Sequence, residues 1–188
     1  MRPSQLPAWR QLPGWCTPAE GDHLYETARA LQDGGADMAA EIGTYLGRSA
    51  VAIGLGCQEA GIRLYTIDHF RGNPEHETPP SREAAERNIA AFGLASCVTI
   101  REGESVKIAE TWRYALAMLY IDASHVFQDV INDFAAWWPH LARGGCVLFH
   151  DSYHTDWPQV IEAVQTIAMR WPLEEQRPVG SIRGFRKR

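Results

Sequence analysis

From residue 38 onward the chain alternates between two hydrophobic rhythms. Short apolar runs at 38–42, 64–67, 98–100, 115–121 and 146–149 predict strands. Segments with apolar residues at helical spacing predict helices over 49–60, 81–92, 127–138 and 157–171, and Gly61 and Gly93 stop the first two. Strands that are apolar on both faces and separated by helices form a parallel sheet covered on both sides. Upstream, Thr17-Pro18-Ala19-Glu20 opens another helix: Thr17 is the N-cap, Pro18 takes the first helical position, and Glu20 closes a capping box. Leu24, Ala28 and Leu31 follow at helical spacing, and Gly34-Gly35 ends the helix. The tail breaks the alternation: 173–179, Gly180 and 181–186 read as two antiparallel strands joined by a tight turn.

Composition narrows the class. The chain has 188 residues, 45% of them hydrophobic and 22% charged, which suits one domain with a substantial core. Residues 1–188 therefore read as a single domain with a Pro-rich segment over 1–16. Eighteen basic against 23 acidic side chains leave a net charge of −5, which argues against a nucleic-acid partner. The longest apolar stretch, 114–121, is far short of the roughly 20 residues that span a bilayer. The opening MRPSQLPAWRQLPGW has no apolar core of a secretory signal. Cys16, Cys57, Cys97 and Cys146 are scattered without metal-ligand spacing, so they read as reduced thiols in a cytoplasmic protein. The basic end, Arg183, Arg186, Lys187 and Arg188, reads as a solvated strand face or as an anion site.

In an open parallel sheet ligands bind beyond the carboxyl ends of the strands. All five ends here are polar: Glu41-Ile42-Gly43-Thr44-Tyr45-Leu46-Gly47-Arg48-Ser49, Asp68-His69, Glu102-Gly103-Glu104-Ser105, Asp122-Ala123-Ser124-His125 and His150-Asp151-Ser152-Tyr153-His154. Gly43 and Gly47 let the first loop approach a ligand and open a helix with free N–H groups. Tyr45 and Leu46 stand where the dinucleotide fingerprint wants small residues and crowd the place of a pyrophosphate, which disfavours an NAD(P)-dependent oxidoreductase. Asp68, at the next strand end, is placed to accept hydrogen bonds from both hydroxyls of a ribose. A nucleoside without a pyrophosphate suits this pattern.

The stretches EIGTYLGRSAVAIG, LYTIDHFRGN and LYIDASHVFQDVINDFAAWWPHLARGGCVLFHD resemble the class I S-adenosylmethionine-dependent methyltransferases, and within them methyltransferase family 24, which includes bacterial sugar O-methyltransferases. The resemblance implies a Rossmann-like, seven-stranded, mostly parallel sheet with helices on both faces and a C-terminal antiparallel hairpin. It implies that Glu41, Gly43, Tyr45, Gly47 and Ser49 cradle the methionine portion of the cofactor, that Asp68 holds the ribose, and that Glu104 and Ser105 line the adenine pocket. Asp122 would lie under the sulfonium. In metal-dependent relatives the Asp122 position and an acidic pair after the fifth strand bind Mg2+. Here that pair is His150-Asp151, so Asp122, His150 and Asp151 form a candidate site for Mg2+ or a softer divalent ion.

Methyl transfer from a sulfonium to a hydroxyl needs in-line alignment and a base for the departing proton. His125 is the candidate base, with Asp122 as its catalytic neighbour three residues away. For several of these residues a plainer role stands beside the chemical one. His125 either serves as base or caps the following helix. His150 either ligates a metal or is a satisfied strand-end histidine, with Asp151 capping a turn. His69 either touches adenine or the acceptor, or faces solvent. Trp112, Trp137, Trp138 and Trp171 are core candidates, whereas Trp15 and Trp157 are candidate platforms for a sugar face. The polar segment 70–80 is either an acceptor lid or a connector. The sequence thus points to an O-methyltransferase for a sugar or similar polyhydroxylated small molecule, with a homodimer as a compatible assembly. A non-catalytic S-adenosylmethionine-binding partner subunit is the alternative from another class.

Overall fold

The computed structural model describes residues 1–31, 36–72, 79–153 and 156–188. Its helices are α1 (Pro7–Arg10), α2 (Pro18–Arg29), α3 (Arg48–Ala60), α4 (Arg82–Ala91), α5 (Ser105–Thr111), α6 (Phe127–Trp137) and α7 (Pro158–Arg170). The strands are β1 (Met38–Ile42), β2 (Arg63–Asp68), β3 (Val98–Glu102), β4 (Leu116–Ile121), β5 (Leu141–Phe149), β6 (Leu173–Glu175) and β7 (Arg183–Lys187). They form one sheet in the order β3-β2-β1-β4-β5-β7-β6. The first five run parallel and β7 is antiparallel to both β5 and β6, as the hydrophobic pattern predicts. The registers Ile42↔Ile67, Ile42↔Ile121 and Ile121↔Phe149 bring the carboxyl ends of β2, β1, β4 and β5 level, so the polar residues after them share one rim.

Alternate residues of each strand feed two cores. Met118, Tyr120 and Leu148 join Leu24, Ile53 and Trp9 on one face, whereas Leu119, Ile121 and Phe149 join Phe134, Trp137 and Val164 on the other. Burial on both faces is why the strands carry no polar alternation. Trp112 and Trp137 are buried, and Trp138 and Trp171 pack against the second core. No helix among the described residues is long and apolar enough to cross a membrane.

Other features lie beyond the sequence reading or adjust it. The Pro-rich start packs onto the fold: Trp9 is fully buried, and its ring lies where a Cβ on Gly21 would fall. The Arg48 guanidinium sits 4.5 Å from that ring, Trp9 Nε1 donates to the Arg48 carbonyl, and Arg48 donates back to the carbonyls of Arg10, Leu12 and Cys16. Helix α5 has no sequence counterpart above, because seven residues are too few for the apolar period to declare itself. β5 begins at Leu141 rather than Cys146, and Gly144-Gly145 lies within it, where the pairing with β4 shifts register. Helix α2 ends at Arg29, and Gly34-Gly35 lies outside the described residues, as do 73–78 of the candidate lid and His154. The basic tail serves the fold: Arg183 pairs with Glu175, Arg186 donates to the Gly144 carbonyl, and Lys187 donates to the carbonyls of Trp138 and Leu141.

Candidate active site

The floor of the site is the loop between β1 and α3. Gly43 has φ +99°, and a Cβ there would overlap the Asp122 carbonyl, so only glycine lets the β1 and β4 ends approach this closely. Tyr45 also adopts positive φ, at +50°, and Gly47, at +87°, turns the chain into α3. Asp68 holds the loop in place: one carboxylate oxygen accepts from the amides of Thr44 (3.0 Å) and Tyr45 (2.8 Å), and the other accepts from the amide of Phe70 (2.7 Å). Glu41 lies beneath this floor. It is fully buried, accepts a hydrogen bond from Thr66, and one of its oxygens has no hydrogen-bond partner. Burial pushes its pKa up to about 8, against the lowering effect of the Ser49 and Thr66 hydroxyls.

Two cavities open on the rim. One, of about 590 Å3, is lined among others by Trp15, Glu20, His125, His150, Asp151 and Trp157. The other, of about 390 Å3, is lined by Asp68, His69, Glu104, Ser105 and Asp133 among others. Gly43, Tyr45, Asp122 and Ala123 line both, so the two adjoin at the ends of β1 and β4. Trp15 packs against Tyr45 in a tilted arrangement, 5.1 Å between centroids, in the wall of the larger one.

A cluster of carboxylates and imidazoles occupies the larger cavity's deep end. His150, only 6% exposed, has Nδ1 3.0 Å from Asp151 Oδ2 and 3.3 Å from Asp122 Oδ1. Its Nε2 lies 3.6 Å from Glu20 Oε2, an ion-pair distance too long for a hydrogen bond, and finds no other acceptor. Burial would lower the pKa of this imidazole, but Asp122, Asp151 and Glu20 outweigh burial and hold it far above its ordinary value. The same pairing works in reverse on the acids. Against the raising effect of burial, His150 and the hydrogen bonds from Ser181 and Thr17 keep Glu20 well below the usual carboxylate range; His125 and His150 do this for Asp151. His125 Nε2 is 3.2 Å from Asp151 Oδ2, and its ring stacks on Trp157 with centroids 3.7 Å apart. Asp151 itself is held at φ +53°, with its amide donating to Ser181 Oγ.

The sequence-derived residues therefore divide between two chambers. Gly43, Tyr45 and Ser49 line the larger one, and Asp68, His69, Glu104 and Ser105 line the smaller one, with Asp122 between them. Glu41 lies under the floor and Gly47 forms the start of α3; neither lines a cavity. His125 does not cap α6, whose N-cap is Val126; the local hydroxyl is that of Ser124, which donates to Asp129 and accepts from the Val126 amide. Among the described residues Asp122, His125 and Asp151 form a group with converging ligand atoms, and His150 of the sequence-derived metal set faces the same two carboxylates from the side of Glu20. Sequence reasoning assigned Glu20 to helix capping alone. The structure places it 3% exposed in the cavity wall, joining Thr17, Ser181 and His150. No local sequence signal announces a contact between residues 20, 150 and 181.

Residues 40–152 match the family model of methyltransferase family 24, described as a methyltransferase domain. The chain belongs to this family. A curated relative of this methyltransferase, uncharacterized protein R132 of Acanthamoeba polyphaga mimivirus, is 38% identical over 61 residues, 32% of this chain. That match spans only 28% of the relative's length. Among solved structures, the Bacillus cereus O-methyltransferase in complex with S-adenosylhomocysteine (SAH) is 20% identical with a TM-score of 0.72, covering 96% of this chain and 86% of its own. CalS11, a TDP-rhamnose 3'-O-methyltransferase of calicheamicin biosynthesis, is 17% identical with a TM-score of 0.63, covering 88% and 76%. At such identities the likeness is one of fold.

Proposed function

We propose that this methyltransferase transfers a methyl group from S-adenosylmethionine to a hydroxyl of a sugar or another small polyhydroxylated molecule. The observation that carries the reading is the His125–Asp151 pair on the wall of the larger cavity, with the His125 ring stacked on Trp157. The smaller cavity, with Asp68, His69 and Ser105, suits an adenosine; the larger receives the methionine end and the acceptor. In this reading the acceptor oxygen forms a bond to the methyl carbon, the carbon–sulfur electron pair returns to sulfur, and the hydroxyl proton passes to the His125 imidazole. Asp151 steadies the resulting imidazolium through Nε2, and Asp122 sits beside the sulfonium as a fixed negative charge. Residues 1–188 act as one domain, because Trp9 and Arg48 lock the N-terminal segment beside the cavity.

Calorimetry with SAH and with NAD tests the cofactor, and transfer of labelled methyl to a panel of monosaccharides and nucleotide sugars tests the activity. SAH binding without turnover across the panel would favour a non-catalytic partner subunit; binding of NAD alone would end the proposal. Asp68→Ala is expected to weaken SAH by about 1.5–3 kcal/mol per charged hydrogen bond lost, roughly 10-fold or more. Unchanged affinity in that variant would remove Asp68 from the ribose site.

A second reading follows from the convergence of ligand atoms on Asp122, His125 and Asp151, all within 4.8 Å of one another. One nitrogen and two carboxylate oxygens fit a divalent cation. These residues would hold it, and the ion, when bound, supplies a lowered pKa to a coordinated hydroxyl. Chelation that abolishes turnover, restored by Mg2+ or Mn2+, would favour this reading over proton transfer to His125.

A further inference from the structure

We propose that the larger cavity seats an uncharged pyranose on the indole of Trp15 and turns away sugars that carry a phosphate. The inference rests on the reading that the acceptor is a sugar hydroxyl methylated beside His125, and it selects among such acceptors. Two tryptophans stand in the wall of this cavity, Trp15 and Trp157. A pyranose presents C–H bonds on one face, and such a face packs on the electron-rich face of an aromatic ring. Trp157 already lies against the His125 imidazole, with ring centroids 3.7 Å apart and planes 24° from parallel, and it packs against the second core. A sugar stacked there would displace the candidate base.

Trp15 is 59% exposed and meets Tyr45 at a tilt of 35°. The chain on either side of it is held. Arg48 Nε donates to the Cys16 carbonyl at 2.8 Å, Cys16 is buried, and a Cβ on Gly14 would come within 3.3 Å of the Arg48 Cβ. An indole exposed on a fixed backbone gains free energy when a ligand covers it, with little further ordering to oppose binding. At the deep end of the same cavity Asp122, His125 and Asp151 match the hydroxyl edge of a sugar. Charge decides which sugars fit. Glu20, Asp122, Asp151 and Asp156 line the cavity, and among the described residues Arg48 is the one arginine or lysine in its wall. The Arg48 guanidinium is committed to the carbonyls of Arg10, Leu12 and Cys16 and to the Trp9 ring. His150 faces Asp122 and Asp151, and His125 faces Asp151. A phosphate here would meet carboxylates and no uncommitted guanidinium, whereas a neutral ring avoids that repulsion.

The test is transfer of labelled methyl by the whole chain to methyl hexopyranosides, and to the matching sugar phosphates and nucleotide sugars, with SAH affinity measured alongside. Wild type is expected to favour the methyl glycosides by about 10-fold or more in kcat/KM. Trp15→Ala is expected to lose about 5- to 20-fold in kcat/KM, mostly as a rise in KM, with SAH affinity within about 2-fold of wild type. Trp15→Phe keeps an aromatic face and is expected to recover most of that loss. A preference for the phosphate-bearing sugars would overturn the proposal and leave sugar O-methylation standing. Wild-type KM in Trp15→Ala would overturn it too, as would a matching fall in SAH affinity, which would make Trp15 part of the cofactor wall. SAH binding with no transfer to any sugar would sink the acceptor reading and this inference together, an outcome distinct from a reversed preference.

Discussion

His125→Ala is expected to lower kcat by about 10^2- to 10^4-fold while leaving SAH affinity unchanged. A sugar hydroxyl has a pKa far above 7, so attack on the methyl carbon stalls unless the proton leaves as the bond forms. The imidazole at position 125 is stacked on Trp157 and tied to Asp151, which fixes its plane beside the cavity junction at no cost when substrate arrives. Alanine removes the proton acceptor but leaves the loop at Gly43, the Asp68 clasp and the smaller cavity in place. Single-turnover assays with labelled S-adenosylmethionine and a saturating acceptor would measure the loss directly. Turnover at the wild-type rate would dismiss His125 as base, and a parallel collapse of SAH binding would mark it as structural.

Glu20→Ala carries the largest expected cost to stability, about 3–5 kcal/mol, the range for removing one partner of a buried ion pair. The side chain is 3% exposed and accepts hydrogen bonds from the amide and hydroxyl of both Thr17 and Ser181, with His150 opposite. Alanine leaves those donors without an acceptor and the buried His150 with one carboxylate fewer, and separates the start of α2 from the turn before β7. For a chain of this size the loss corresponds to about 6–20 °C in Tm. Glu20→Gln, which keeps the shape and part of the hydrogen bonding, is expected to lose less. The pH dependence has a definite sign. The folded-state pKa of Glu20 lies well below the ordinary value of 4.5, so its stabilisation is complete above about pH 4.5 and drains away as pH falls toward the folded value. Between pH 6 and pH 3 wild-type stability is therefore expected to decline more steeply than that of Glu20→Ala. Chemical denaturation across that range measures both slopes; parallel curves would show that Glu20 carries no buried charge.

Much of the architecture was legible because burial on both sheet faces writes itself into the sequence as unbroken apolar runs, which mark β1, β2, β4 and the end of β5. The Thr17–Glu20 capping box was legible too, because its bonds span three residues, and both of its reciprocal hydrogen bonds are present. Helix α5 was not, being too short for a period, and neither was the early start of β5 at Leu141, where the pairing with β4 shifts register. The candidate site divided along the same line. Strand-end position placed Asp68, Asp122, His125 and Asp151 on one rim. It could not tell that His150 turns inward, that Trp157 folds onto His125, or that Asp133 lines the smaller cavity.

By itself the sequence determined the order of strands and helices, the polar rim and the family, all of which depend on local periodicity and contiguous motifs. Only the tertiary structure decided which charges meet. Glu20, His150 and Ser181 come together from opposite ends of the chain because three separate elements converge at the end of β5, and electrostatic partnership depends on distance in space rather than separation along the backbone. That convergence buries His150 against Glu20, Asp122 and Asp151 and brings His125 to the same two aspartates from the cavity side.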